Sequence, residues 1–580
     1  MTGERRLFRP APYVEPRPFD LWTRANAGEV LPGMITPLTW STIGAALNDW
    51  FQRSLQEAGF RGAHGVAFAT LYQGRLYFNV GAMYHYYVVE GGMPSRAVLQ
   101  PFGGPNADHG LPLPEQGLRW RKLIRFLPAM SRQARRQRQA PETLRSCIPL
   151  AEEAARRLAS LDLSALTLRE LFEAEVEATE RLEPFYQVFN DCNGAAFATY
   201  GALSYLLEQW VGDASLANDL VAGLEMTKTA EGSAKLWRIA RKAAARADIR
   251  ALVARSSPAT MLDDLAAHPA GAPVASDLRR FLAEFGHRAA DELDIVNPRW
   301  AEDPAPLLAI FKAYVVSPPQ GGPAEVTERQ RQAREAAQAR VEGLLRRRLV
   351  DRLLPWKRLI LRSYIQQAQT FVPLREDPKF HLLKVMLPLR RCHLEIGRRL
   401  VDLGILDAQE HVFYIEAEEL EAACTQLRPD PALRDRVRER LTQYEQWRHL
   451  PAPWALDAEK RPIPERAPDR PDGRVLRGLP ASSGRVTGHA RVITDLRQAD
   501  EMRQGEILVA PFTDPGWTPL FPLSAAIVTD LGGLLSHGAV VAREYGVPAV
   551  VNTAIATSVI RTGDRITVDG SAGTVEIESV

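Results

Sequence analysis

A chain of 580 residues with 46% hydrophobic and 24% charged residues sits at globular averages, which excludes a mainly disordered, collagen-like or coiled-coil protein. Single cores stop growing near roughly 250 to 300 residues, so two or three domains are expected. A net charge of +2 gives little basis for binding nucleic acid or an anionic membrane, and the basic N-terminus has no apolar segment behind it, so neither secretion nor membrane insertion is predicted.

Cys147, Cys192, Cys392 and Cys424 lie far apart, with no C-x-x-C pair for zinc or redox work and too few thiols for a disulfide framework. A cytoplasmic protein is expected. Residues 1 to about 140 mix prolines with aromatic, strand-like pieces such as Gly74-Arg-Leu-Tyr-Phe-Asn-Val80, which predicts a mixed α/β subregion. His85 stands among tyrosines in Met83-Tyr-His-Tyr-Tyr87, a cluster that fits either plain core or a pocket wall. The basic run from Ser131 to Arg138 reads as a solvated helix face.

From about Pro141 to Leu450 apolar residues recur three and four apart, as in Leu161 to Leu182 and Ala333 to Leu354, so residues 1–450 form one large, mainly helical unit. Prolines at 451, 453, 462, 464, 468 and 471 mark residues 451–476 as a Pro-rich linker. Beyond it, short β-branched runs at Arg485 to Ile493, Glu506 to Ala510, Ala525 to Thr529, Ala549 to Val551 and Arg565 to Val568 predict a small α/β domain over 477–580. The fold class is therefore multidomain, α followed by α/β.

The string from Ala525 to Val550 reads as strand, glycine loop, helix, strand. Gly532 and Gly533 permit a tight turn, Ser536 is a good N-cap, and Gly546 ends the helix, which puts His537 in the first helical turn. Free N–H groups and the positive end of the helix dipole favour an anion there, with Thr529, Ser536 and Arg543 as further donors. Neutral imidazole is a competent nucleophile, so the design suits covalent phosphoryl relay. A histidine that merely caps a helix is the bland alternative.

The whole string, Thr529-x-x-Gly-Gly-x-x-Ser-His537 followed by Ala542-Arg-Glu-x-Gly-x-Pro-Ala-Val550, resembles the phosphohistidine motif of the phosphoenolpyruvate-utilising enzymes, among them phosphoenolpyruvate synthase, pyruvate phosphate dikinase and rifampin phosphotransferase. The resemblance implies a swivelling domain whose His537 carries phosphate in a pocket shaped by Thr529, Gly532, Gly533, Ser536 and Arg543. Gly538 stands where alanine is usual, a departure expected to loosen the helix start. Thr513-Asp-Pro-Gly-Trp-Thr-Pro519 is similar to the loop that precedes the histidine strand, although a plain Pro-Gly turn would read alike.

Upstream, Trp22 to Thr39, Gly286 to Asp294, Pro298-Arg-Trp300 and Leu374-Arg-Glu-Asp-Pro-Lys379 resemble the substrate-binding region of the rifampin phosphotransferase branch, as does Asp407 to Leu420. That implies an acceptor site at Arg375 and Lys379, four apart on one helical face, although Pro378 is unexpected inside a helix and the pair could also be solvated. Asp291 and Glu292, with Asp294, could supply a general base, or salt-bridge to Arg288 or Arg299.

The branch begins with an ATP-grasp domain, and this chain starts about where that domain ends; no GxxxxGK[ST] occurs. The expected function is a phosphotransferase component that passes a phosphoryl group through His537 to a hydroxyl of a small molecule, with ATP and Mg on a separate ATP-grasp protein and no cofactor or metal in this chain. The alternative is an ATP-independent lyase or dehydratase in which unphosphorylated His537 is a general acid or base. A non-catalytic regulator that keeps the fold stands third.

Overall fold

The computed structural model describes residues 17–578 apart from 25–26, 28–30, 61, 64, 100–112, 225–226, 318–322, 347–355, 427–429, 451 and 464–474. Strands β1 (Trp22–Thr23), β2 (Ala69–Tyr72), β3 (Arg75–Asn79) and β4 (Ala455–Leu456) form a small sheet in the order β2-β3-β1-β4. Helix α1 (Ala45–Glu57) belongs to the same unit, where Phe51, Phe68 and Phe78 stack at centroid separations of 4.4 and 4.8 Å. The expected linker is thus partly built into this sheet, because Trp22 and Thr23 pair with Leu456 and Ala455; residues 464–474 lie outside the described residues.

The helical unit begins earlier than the prolines suggest. Helix α2 runs Leu127–Ala159 with Pro141 and Pro149 inside it. Ala140, Leu144, Cys147, Ala151, Ala154 and Leu158, spaced three and four apart, are all buried, and that apolar stripe outweighs the backbone hydrogen bonds two prolines remove. The run Ser131 to Arg138 lies on this helix and is mostly exposed. Helix α3 (Leu168–Val211) starts at a capping box, in which Thr167 Oγ1 accepts from Glu170 N at 3.2 Å and Glu170 accepts from Thr167 N at 2.7 Å, and it stops at Gly212 with φ 86°.

Helices α4 (Lys228–Ala244), α5 (Ala305–Val316), α6 (Pro323–Arg346), α7 (Trp356–Phe371), α8 (Asp377–Leu382) and α9 (Met386–Asp402) complete the part of the unit that matters for the site. No helix among the described residues is long and apolar enough to cross a membrane.

The C-terminal sheet holds β5 (Val475–Arg477), β6 (Leu479–Ser482), β7 (Arg485–Val492), β8 (Ile507–Ala510), β9 (Ala526–Thr529), β10 (Ala549–Val551), β11 (Arg565–Asp569) and β12 (Thr574–Ile577), in the order β5-β12-β11-β7-β8-β9-β10-β6. Strands β7 to β10 run parallel at its centre, with antiparallel partners on both sides. Helix α10 (His537–Tyr545) follows β9.

The two units share one core. Tyr200, Leu220, Phe311 and Tyr314 of the helical unit fall in the same apolar cluster as Trp517, Leu520, Phe521 and Val541. Each such side chain contributes roughly 1.5 to 3 kcal/mol when fully buried, so the docked arrangement is held by more than surface contacts. Polar contacts add to it: Asn218 Nδ2 donates to Pro480 O at 2.7 Å, Ser483 Oγ to Asp219 Oδ1 at 2.7 Å and Tyr314 OH to Pro519 O.

Candidate active site at the domain junction

Two loops leave the carboxyl ends of adjacent parallel strands, where Ala510 of β8 pairs with Thr529 of β9, and they converge on one histidine. In the loop after β8, Asp514 Oδ1 accepts from Gly516 N at 2.7 Å, and a 3-10 turn over Thr518–Leu523 follows. In the loop after β9, Gly532 has φ 145°, a conformation open to glycine, and Gly533 O accepts from Ser536 N at 3.0 Å. Ser536 Oγ then caps α10 by accepting from Ala539 N at 3.0 Å, and Gly546 closes it at φ 62°.

His537 opens α10 and is only 5% exposed. Its Nε2 lies 2.7 Å from Thr518 Oγ1 and its Nδ1 lies 2.6 Å from Glu376 Oε2. Glu376 comes from the helical unit and is 4% exposed. Burial opposes its ionisation, yet His537, Lys379 and Arg375 together hold its carboxyl well below the usual carboxylate range. An ionised carboxylate can only accept, so Nδ1 carries a proton, and in the neutral ring Nε2 turns its lone pair to the Thr518 hydroxyl.

Glu376 is held at a break between a 3-10 turn (Pro373–Arg375) and α8, where Asp377 Oδ1 accepts from Lys228 N at 2.8 Å. Pro378 falls in the first turn of α8, whose N–H groups have no intrahelical acceptor, so the proline is accommodated rather than disruptive. The two cations of this segment diverge to flank Glu376. Arg375 is buried with its guanidinium 4.8 Å from the Phe197 ring centroid, and its NH1 has no hydrogen-bond partner among the described residues. Lys379 Nζ lies 3.0 Å from Glu292 Oε1, while Arg288 Nε lies 3.0 Å from Glu292 Oε2.

Glu292 is therefore committed to two cations, which fixes Lys379 and leaves it poorly placed as a base. Breaking a buried ion pair from one side strands the other charge, so Glu292→Gln is expected to lower the unfolding free energy by about 3 kcal/mol in a denaturant titration. Asp294 is a structural clamp: it accepts from Thr36 N at 2.7 Å, Thr36 Oγ1 at 2.8 Å and Thr39 Oγ1 at 2.7 Å, tying part of the Trp22 to Thr39 segment to the turn.

Asp291 takes φ 48°, its N–H donates to Asp514 Oδ2 across the junction, and its Oδ1 has no hydrogen-bond partner among the described residues. Burial, then Asp294 and Asp514, push its carboxyl up to about 8. Unfolded, the same group titrates near pH 4; the stability its proton contributes is complete below that value and is lost as pH rises to about 8. Asparagine keeps the neutral form throughout. Asp291→Asn should therefore gain thermal stability over wild type progressively between about pH 5 and 8, and no further above it, in calorimetric scans across that range.

The structure brings together His537, Glu292, Asp291, Arg375 and Lys379, and sets Thr529 and Arg543 apart from the imidazole. Thr529 Oγ1 donates to Leu531 O at 2.7 Å. Arg543 braces the loop, its Nε donating to Ala481 O at 2.7 Å and its NH2 to Leu534 O over the Tyr200 ring, while its NH1 has no hydrogen-bond partner among the described residues. His85 stacks on Phe19 at 4.0 Å and bonds Glu90 at 3.0 Å. Sequence reasoning missed Glu376, Thr518 and Asp514 as individual residues, although all three lie in segments it had singled out. No three His, Cys, Asp or Glu side chains among the described residues are arranged to hold a metal ion.

Residues 190–376 match the rifampicin phosphotransferase fourth domain, and residues 502–573 match the mobile domain of PEP-utilising enzymes. The first match ends on Glu376, and the second contains His537. Among curated relatives, rifampicin phosphotransferase of Streptomyces sviceus is 34% identical over 64% of this chain and 42% of its own length. The Bacillus subtilis rifampicin phosphotransferase is 30% identical over the same shares. The prodigiosin synthesizing transferase PigC of Serratia marcescens is 29% identical over 98% of this chain and 64% of its own. The chain thus spans under half the length of the rifampicin phosphotransferases it matches.

Proposed function

From a chain that carries the mobile domain of the PEP-utilising enzymes beside a rifampicin phosphotransferase fourth domain, we propose a phosphotransferase component in which His537 carries the phosphoryl group to a hydroxyl of a small molecule. The observation that carries this reading is the buried His537–Glu376 contact, 2.6 Å across the junction, with Arg375 and Lys379 on the Glu376 side. Glu376 holds the Nδ1 proton, which leaves Nε2 as the nucleophile and as the atom that later gives up phosphorus. On transfer, the acceptor oxygen forms the new P–O bond as the P–Nε2 bond breaks and the electron pair returns to Nε2. The hydroxyl proton passes to Asp291 in its ionised form, the share of which grows as pH rises toward about 8, and the two cations offset the charge of the transferring group.

The phosphoryl donor is proposed to be ATP with Mg on an ATP-grasp unit outside these 580 residues; the sequence has no glycine-rich phosphate loop of the Walker type. No step in this chain is routed through a metal. A lyase reading remains in play because one apolar core spans both units, which keeps His537 beside Glu376 without any excursion. Product analysis with a panel of hydroxylated acceptors, with and without Mg-ATP and the ATP-grasp partner, separates the two. Phosphorylated product that requires ATP supports the relay; turnover that proceeds equally without ATP sinks it in favour of elimination chemistry.

A further inference from the structure

The Gly538 position, where a loosened helix start was expected, has a different explanation. A Cβ there would lie 2.0 Å from Thr513 Oγ1, so the missing methyl is the space that the threonine hydroxyl fills. Thr513 is 3% exposed, and its hydroxyl has no hydrogen-bond partner among the described residues. It points at the first turn of α10, a helix of nine residues in which the Gly538 N–H has no intrahelical acceptor. Thr518, on the same loop, marks the Nε2 atom with its own hydroxyl, 2.7 Å away.

We propose that Thr513, given room by Gly538, is a phosphoryl-binding residue of the mobile domain, and that with Thr518 and the Gly538 N–H it forms a cradle for the phosphate on His537. The inference rests on the relay reading above. It assigns the phosphate oxygens to donors other than Thr529, whose hydroxyl is spent on Leu531 O, and Arg543, which bonds Ala481 O and Leu534 O through Nε and NH2. It also divides the labour between the units. Thr513, Thr518 and Gly538 lie on the same unit as His537 and travel with it, whereas Glu376, Arg375 and Lys379 belong to the other side of the junction. Phosphorylation puts phosphorus where the Thr518 proton now sits, so that hydroxyl turns to a phosphate oxygen.

Phosphoramidate, a small chemical phosphoryl donor, tests this on the whole chain. The Nε2 lone pair forms the new P–N bond as the zwitterion's own P–N bond breaks, ammonia leaves with its electron pair, and the Nδ1 proton stays against Glu376. The half-life of phosphate on His537 is then followed by intact-protein mass spectrometry, with His537→Ala giving the background from other histidines. Loss of one charge-assisted hydrogen bond predicts that Thr513→Val shortens the half-life roughly tenfold. Gly538→Ala, which evicts the hydroxyl, should do about the same, the double variant should be no worse than either, and Thr513→Ser should match wild type.

Equal half-lives in wild type, Thr513→Val and Gly538→Ala would overturn the cradle and leave the relay standing. So would a Thr513→Ser variant as short-lived as Thr513→Val, because the effect would then follow packing and not the hydroxyl. Wild type that takes no phosphate on His537 while other histidines do would overturn the relay and the cradle together.

Discussion

With alanine at position 537, phosphoryl transfer to any acceptor is expected to fall to background while the fold survives. Among the described residues, the imidazole is the group that lies with one nitrogen on Thr518 and the other on Glu376. The substitution does leave Glu376 buried without its partner. A modest drop in melting temperature is therefore expected, and circular dichroism must show native structure at the assay temperature before the lost activity is read as chemistry. A second control is substrate binding, measured by calorimetry. If the acceptor contacts lie on the helical unit as proposed, affinity should change little while the rate vanishes, which is the mark of a group used in the transition state.

Glu376→Gln should be the next most damaging change, with transfer slowed by about a hundredfold to ten-thousandfold and the acceptor KM nearly unchanged. Glutamine fills the same space, but its amide can present a donor to Nδ1, which moves the imidazole proton to Nε2 and removes the nucleophilic lone pair. The effect is thus on the tautomer, and 15N chemical shifts of the His537 ring measure it directly: wild type should show the proton on Nδ1, the variant a mixture or the reverse. Unchanged ring shifts with full activity would mean that Glu376 only packs against the imidazole. Stability must also be checked, since the carboxylate balances Arg375 and Lys379.

How much of this was legible beforehand differs by scale. The order β9, loop, α10 and β10, with the Ser536 cap and the Gly546 stop, follows from local chemistry: a capping hydroxyl, glycines at φ 145° and 62°, and apolar runs too short to be helices. Helix α2 was not legible from its prolines, because the burial of Ala140 to Leu158 against the rest of the helical unit is a tertiary gain that no local rule contains. The outer strands β5, β6 and β12 escaped notice for the same reason; β6 contains Pro480 and β5 is three residues long, and both are strands because of the neighbours they pair with.

At the site, the proposed nucleophile is written in its own motif, but its partner is not. Glu376 lies 161 residues away in sequence, between two cations that drew attention first. Spacing four apart suggested that Arg375 and Lys379 share a helical face. The chain instead breaks from a 3-10 turn into α8 between them, sending one cation to Phe197 and the other to Glu292. Gly538 carried a signal that was read the wrong way round, since a missing methyl loosens a helix only where nothing else fills the space, and here Thr513 does.

The central claim, that His537 carries phosphate, is tested most directly by intact-protein mass spectrometry at alkaline pH, where phosphohistidine survives, after incubation with Mg-ATP and a candidate ATP-grasp partner. The account predicts one phosphate on wild type, mapped to the peptide containing His537 and absent from His537→Ala. Wild type that stays unmodified beside a partner that demonstrably turns over ATP would contradict it.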